Sequence, residues 1–389
     1  MTASTTDKPG LAEPGTIVPP GVSYVDTPEK LRELVERVLA VSAKTPGFRC
    51  CLDTEADSLH HYQEKLCLIQ LAFGDEYALI DPLAVEDMAP LIAALDNGEV
   101  WFHGADYDLT LLRRTYGWVP AHVRDTQIAA RLVGSRQFGL AALVENYFQQ
   151  KLSKASQKAD WSRRPLSSTM LHYAVDDVRY LLPLADLLLE SLAEKGRTEW
   201  FVQSCEALCN GVTGRSTQPK ENPWKVQGSG RLHSRGLALL KGLWEWRETV
   251  AQERDVPCFR VMSNKQLMDV ALAFDHGQSL PPPAGWRPKW KADFAKVHET
   301  VLASDPATWP ARVRLQNGRM SDKARDQLDK LCAAREKAGN ALDLEPSLLG
   351  SRSTLEQVVA RADGIEDLMP WQREVLAGPL ADARGVLGF

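Results

Sequence analysis

Along the first half of the chain, short apolar runs of strand length alternate with polar breaks. Residues 47–52 form one β-type run, which leads into Asp53-Thr54-Glu55. Residues 66–73 and 77–80 form two more, and Gly74-Asp75-Glu76 between them is a hairpin signal. Residues 88–95 carry a helical pattern, and residues 100–103 read as a further strand. From Asp108 onward the spacing is mainly helical: Leu109, Leu112 and Tyr116, then Ile128 and Leu132, then Leu140, Leu143 and Tyr147, then a long segment over 167–192. Three antiparallel strands followed by alternating helix and strand predict an α/β domain, a mixed central sheet flanked by helices on both faces.

The pattern changes after residue 210. Residues 211–230 are rich in Gly, Ser, Thr, Gln, Pro and Asn and read as a linker. Everything beyond is helical in pattern, and it contains an internal repeat. Leu240, Leu243, Arg247 and Glu248 recur as Leu328, Leu331, Arg335 and Glu336, at an offset of 88. The same offset relates Leu267 to Leu355, Val270 to Val358, Leu280 to Leu368 and Pro282 to Pro370. A constant offset without gaps predicts two copies of one small all-α module, over 231–310 and 316–389.

Composition narrows the class. With 44% hydrophobic and 25% charged residues the chain has the makeup of a soluble globular protein. No apolar run approaches the length of a membrane span, so no membrane partner is expected. Residues 1–20 lack a basic segment followed by an apolar core and read as a disordered tail rather than a secretion signal. The seven cysteines are scattered, which fits a reduced cytoplasmic protein with buried thiols.

The net charge of −5 conceals an asymmetry. Residues 1–210 hold 20 Lys and Arg against 29 Asp and Glu, a net of −9. Residues 211–389 hold 26 against 22, a net of +4. An acidic half able to collect cations is joined to a mildly basic half able to hold phosphates. Chemistry is therefore expected in the first half alone.

Candidate chemistry sits on three fragments. Asp53 and Glu55 are spaced i,i+2 at a strand end, so both point to one face of the sheet. Two carboxylates so placed repel unless a cation lies between them, although a strand-end pair can also simply face water. Asp108 falls near a helix start, where the dipole favours a carboxylate, with Asp106 as the competing cap. Tyr173 and Asp177 share a helix face at i,i+4, with Asp176 turned about 100° away. Together these give four carboxylates and a phenol in one domain. An all-oxygen ligand set suits Mg²⁺ or Mn²⁺ better than zinc.

In this order the fragments resemble the DEDD exonucleases, in the branch with a tyrosine in the third motif, and the ribonuclease D family above all. The first motif is Leu52-Asp53-Thr54-Glu55 followed by residues 66–71, the second is residues 103–109, and the third is Tyr173 with Asp177. Asp125-Thr126-Gln127 and residues 160–166 share the likeness, which covers about residues 22–210, within an exonuclease domain expected over 21–210. One departure is Ala56-Asp57-Ser58, where an aromatic often follows the glutamate. The C-terminal repeats are similar to HRDC domains.

The resemblance implies an RNase H-like fold and a 3′→5′ exoribonuclease using two divalent metal ions. Asp53, Glu55 and Asp177 would hold the ion that activates water, and Asp53 and Asp108 the second. Tyr173 would orient the water. The implied partners are RNA 3′ ends, including tRNA precursors, and the implied products are nucleoside 5′-monophosphates. A DNA exonuclease of the proofreading or Werner type shares the same carboxylates, and an inactive RNA-binding scaffold is the non-enzymatic alternative.

Further candidates for RNA contact are His60, Tyr62 and His103 near the motifs. Trp286, Arg287, Lys289, Trp290 and Lys291 alternate aromatic and basic side chains. They can stack on bases, or form a packed Trp pair with solvated charges between. No Gly-x-x-x-x-Gly-Lys-Ser/Thr loop occurs, so the HRDC likeness does not imply a helicase.

Overall fold

A computed structural model describes residues 19–312 and 320–388. The expected N-terminal tail lies outside the described residues except for its last two positions, as do residues 316–319 and 389 of the second repeat.

Among the described residues six strands form one mixed sheet: β1 (Val22–Val25), β2 (Arg49–Ala56), β3 (Leu66–Phe73), β4 (Glu76–Ile80), β5 (Glu99–Phe102) and β6 (His122–Asp125). Their order is β1-β4-β3-β2-β5-β6. The β2–β3–β4 meander is antiparallel, as its turn signals predict, and β1, β5 and β6 add in parallel pairings. Every residue of β3 is buried, because helices cover both of its faces. Helices α1 (Pro28–Lys44), α2 (Ala89–Leu95) and α3 (Asp106–Tyr116) close one face around Leu52, Ile69 and Leu71. On the other face lie α4 (Thr126–Val133), α5 (Leu140–Phe148), α6 (Ser168–Arg179), α7 (Leu181–Glu194) and α8 (Thr198–Gly214). There Cys51, Ala72 and Trp101 meet Leu184, Leu188 and Phe201.

Four elements lie outside the predicted set: β1, α1, β6 and α8. The two strands have four residues each, too short to display a period. The long segment over 167–192 divides at Tyr180, and Pro183, in the first turn of α7, cannot donate back to the preceding turn. Helix α8 continues to Gly214, so the first four residues of the expected linker are helical.

Among the described residues the regular elements of the C-terminal half are all helices. Its first module comprises α9 (Ser234–Glu253), α10 (Cys258–Val261), α11 (Asn264–Asp275) and α12 (Pro288–Ala303). The second comprises α13 (Asp322–Ala341), α14 (Arg352–Ala360), α15 (Pro370–Val375) and α16 (Ala377–Leu387). The repeat is visible in three dimensions. α9 and α13 each have 20 residues and begin 88 apart. Ser263 and Ser351 cap the next long helices, and Arg247 and Arg335 each donate to a backbone carbonyl just before those caps, Met262 and Gly350. Beyond α11 and α14 the correspondence ends. Leu280 is 38% exposed while Leu368 is 1% exposed, and Pro370 opens a helix whereas Pro282 lies outside one.

The modules differ in attachment. The first has its own core around Leu240, Leu243 and Leu267. In the second, Leu328, Leu331, Trp371 and Leu376 join the core that contains Trp101 and Phe201. Trp371 stacks on Trp200 with centroids 4.7 Å apart, and its backbone N–H donates to Gln203 Oε1 at 3.0 Å. A chain cut at residue 210 would lose the last turn of α8 and uncover Trp200. Trp371, 2% exposed, should therefore matter to the α/β domain as well as to its own module. Trp371→Ala is expected to destabilise the protein by about 3–5 kcal/mol. Denaturant unfolding followed by fluorescence tests this, and an unchanged midpoint would show that the shared core is not cooperative.

Candidate active site

The site is built at the end of β2. Asp53 and Glu55 point to the α6 face, opposite Gln70 and Leu68 of β3, while Leu52 joins the core under α3. Helix α6 presses Leu171, Ala174, Val175 and Val178 inward, which leaves Tyr173 and Asp177 along the edge facing β2. Carboxylate oxygens of Asp53, Glu55 and Asp177 all lie within 4.8 Å of one another. Asp108 arrives from the first turn of α3, 6% exposed, and accepts a hydrogen bond from Thr54 Oγ1 at 2.5 Å. The three separated fragments thus meet in one place.

Electrostatics there are unfavourable to a bare cluster. Burial, then the charges of Asp108, Asp177 and Glu55, hold the Asp53 carboxyl well above the usual carboxylate range. Glu55 is pushed up to about 9 by burial and by Asp177 and Asp108. Burial raises Asp108 to about 7 against the opposing hydrogen bond from Thr54. Burial likewise raises Asp177 to about 7, opposed by a hydrogen bond from the Tyr173 hydroxyl. Tyr173 is raised in turn by burial and the surrounding carboxylates, so it keeps its proton. Four acidic groups that would otherwise hold protons fit a hard divalent cation, which would replace those protons.

Several supporting residues lie in segments that share the family likeness but were not singled out as site residues. Asp125, the cap of α4, accepts from the N–H groups of Gln127 and Ile128 and also of Gly104 and Ala105. It thereby fixes the turn that launches Asp108, and its position before Thr126-Gln127 is a readable cap signal. Trp161, buried, packs against Tyr173 at 6.1 Å between centroids. Arg164 forms a bidentate pair with buried Asp81, at 2.5 and 2.7 Å, and so anchors the 160–166 segment. Thr54 sits between the two motif carboxylates in sequence, yet its role depends on α3 arriving from the opposite face.

The carboxylates line a cleft of about 580 Å³. His103 and Gln127 line it too, and residues 139–142 and 152–154 form the facing wall. His103 Nδ1 lies 2.9 Å from Thr126 Oγ1, and burial lowers the pKa of its ring. His60 and Tyr62 do not line this cleft. His60 Nε2 meets the Lys158 carbonyl at 3.0 Å. Tyr62 reaches the first helical module, where its hydroxyl donates to Glu248 at 3.2 Å and its N–H to Asp255 at 3.1 Å. Trp286 and Trp290 pack on Trp246, and Lys291 Nζ donates to the Ala284 carbonyl at 2.8 Å. Arg287 and Lys289 are exposed.

Comparison with known proteins agrees with this architecture. A family described as 3′-5′ exonuclease matches residues 22–193, and the HRDC domain family matches residues 236–274. The chain is 34% identical over 334 residues to the ribonuclease D of Zymomonas mobilis, covering 83% of this chain and 82% of that protein. It is 31% identical over 353 residues to the ribonuclease D of Sphingobium indicum, covering 86% and 85%. The crystal structure of Escherichia coli RNase D, an exoribonuclease involved in structured RNA processing, superposes with a TM-score of 0.68 at 25% identity. That match covers 94% of this chain and 98% of the other. With an RNase H-like exonuclease sheet, an HRDC domain and this extent of identity, the chain belongs to the ribonuclease D family.

Proposed function

We propose that this 3′→5′ exoribonuclease removes nucleoside 5′-monophosphates one at a time from RNA 3′ ends, with tRNA precursors or other stable RNAs as substrates. The observation that carries the reading is the convergence of Asp53, Glu55 and Asp177 oxygens within 4.8 Å, with Asp108 beside them. Asp53, Glu55, Asp108 and Asp177 would hold two divalent ions, Mg²⁺ or Mn²⁺. Such ions, when bound, activate a water and neutralise charge on the leaving oxygen.

The protein's own groups do the rest. The four carboxylates fix where the scissile phosphate can sit. Tyr173, protonated and backed by Trp161, orients the attacking water beside Asp177. The water oxygen bonds to phosphorus, the P–O3′ bond breaks, and the penultimate nucleotide keeps a 3′-hydroxyl.

The chain divides into an exonuclease domain over 21–210, whose last helix runs on to Gly214 into a linker over 211–230, a first HRDC domain over 231–310 and a second HRDC-like module over 316–389. The second module's shared element order over α13 and α14 supports that reading. Among the described residues no helix is long and apolar enough to cross a membrane. A cytoplasmic location accords with seven cysteines in no disulfide.

Matched 3′-labelled RNA and DNA strands, incubated with Mg²⁺, Mn²⁺ or EDTA, test the proposal. The expected result is stepwise release of 5′-monophosphates from RNA with either metal and none in EDTA. Faster degradation of the DNA strand would favour the DNA exonuclease. No release from either strand would favour the scaffold.

A further inference from the structure

Folding assembles a basic aromatic pocket on the first module that the linear pattern at residues 286–291 only half discloses. Lys291 is engaged with the Ala284 carbonyl, and Lys289 lies outside the pocket. In their place come Arg254, from the end of α9, and Arg260, from α10. With Trp286, Arg287 and Trp290 they line a cavity of about 250 Å³. The Arg254 guanidinium lies 5.3 Å from the centre of the Trp290 ring, and that of Arg287 lies 6.0 Å from it. All three arginines are exposed, and none of their guanidiniums has an ion-pair or hydrogen-bond partner among the described residues. Among the described residues no acidic side chain lines the pocket.

Three arginines lining one pocket, two of them over the same indole and none with a counter-charge in the lining, call for a polyanion. A half-buried tryptophan beside them offers a face on which a base can stack. Guanidiniums match phosphate oxygens in paired hydrogen bonds. A nucleotide supplies both partners at once.

The pocket is also tied to the catalytic framework. Asp255, next to Arg254, accepts from the Tyr62 N–H, and its Oδ2 lies 2.6 Å from His61 Nδ1. The other His61 nitrogen lies 2.9 Å from Ser162 Oγ, one residue from the tryptophan that backs Tyr173. Tyr62 follows Glu55 by seven positions, a reach of at most about 25 Å of extended chain. The first-motif carboxylate Glu55 therefore lies within about 25 Å of this corner.

We propose that Arg254, Arg260, Arg287 and Trp290 form a nucleotide subsite that holds a segment of the RNA upstream of the residue being removed. The inference rests on the exoribonuclease reading and deepens it. RNAs long enough to span from the carboxylates to this pocket gain a second contact, and very short ones do not.

The test compares Arg254→Glu with Arg260→Glu, singly and together, against Lys265→Glu. Lys265 is an exposed residue of the same module outside the pocket, so it controls for overall charge. KM and kcat are measured on a dinucleotide and on an RNA of about twenty nucleotides, with binding followed at several salt concentrations. The pocket variants are expected to raise KM for the long RNA about tenfold and to leave kcat and the dinucleotide kinetics in place. The salt dependence of binding should become shallower by about 0.7 per lost contact. Lys265→Glu should do neither. An unchanged long-RNA KM in the pocket variants overturns the subsite, and so does an equal rise in Lys265→Glu, which would indicate a diffuse field. Failure of the wild-type protein to cut either RNA would instead sink the exoribonuclease reading on which the subsite rests.

Discussion

Asp53→Asn is expected to abolish RNA hydrolysis, by at least about 10³-fold, while the protein stays folded and becomes more heat-stable in EDTA. Asp53 sits at the centre of the cluster, and its carboxyl is raised by burial and by all three other acidic groups. Replacing it with a neutral carboxamide of the same shape removes the group that every proposed cation contact shares. It also removes repulsion. A carboxyl whose folded pKa is raised binds its proton more tightly in the folded state. It therefore subtracts stability as pH rises above its unfolded value of about 4, and the full cost applies above the folded value. The gain from Asp53→Asn should thus be small near pH 4 and larger at pH 8. Each kcal/mol gained raises Tm by about 2–4 °C for a domain of this size. Divalent cation should stabilise the wild-type protein and close the gap. The measurements are single-turnover hydrolysis with Mg²⁺ and thermal unfolding in EDTA at the two pH values. Near-normal turnover in the variant would remove Asp53 from the site.

The parts of this site that were legible in the sequence are those set by local period. Asp53 and Glu55 declare a shared face through i,i+2 on a strand, and Tyr173 and Asp177 through i,i+4 on a helix. Their convergence is not local, and it became readable only through the ordered resemblance of all three fragments to one family. What stayed hidden depends on tertiary approach. Thr54 has the wrong face for the cluster and still reaches Asp108, because α3 crosses the strand end from the other side. Tyr62 lies close to the first motif in sequence, but the loop carries it away from the cleft to Glu248 and Asp255. Periodicity cannot report where a loop docks. The 88-residue repeat was legible because Arg247 and Arg335 do the same job in both copies. It misled at Leu280, where the proline-rich stretch over 281–283 leads into a different following helix.

Tyr173→Phe is expected to slow the chemical step by about 10²–10⁴-fold and to leave RNA affinity nearly unchanged. The ring is held by contact with Trp161 and by the apolar cluster of Leu171, Ala174 and Val175, and phenylalanine keeps all of that packing. Only the hydroxyl is lost. That hydroxyl is aimed at Asp177, and burial, with the carboxylates around it, keeps it protonated at neutral pH. A group that cannot ionise there does not serve as a base in its own right. It serves by fixing the direction of a water and by donating one hydrogen bond, so its removal leaves the acidic cluster complete but the nucleophile unaligned. The loss should therefore fall on kcat and the single-turnover rate, with KM and equilibrium binding close to wild type. Because the hydroxyl opposes the rise in the Asp177 pKa, its loss also makes Asp177 harder to deprotonate. The variant should consequently need more Mg²⁺ for half-maximal rate. Single-turnover rates against Mg²⁺ concentration, alongside RNA binding in EDTA, separate the two effects. If affinity fell and the single-turnover rate held, Tyr173 would be a substrate contact rather than the group that orients water.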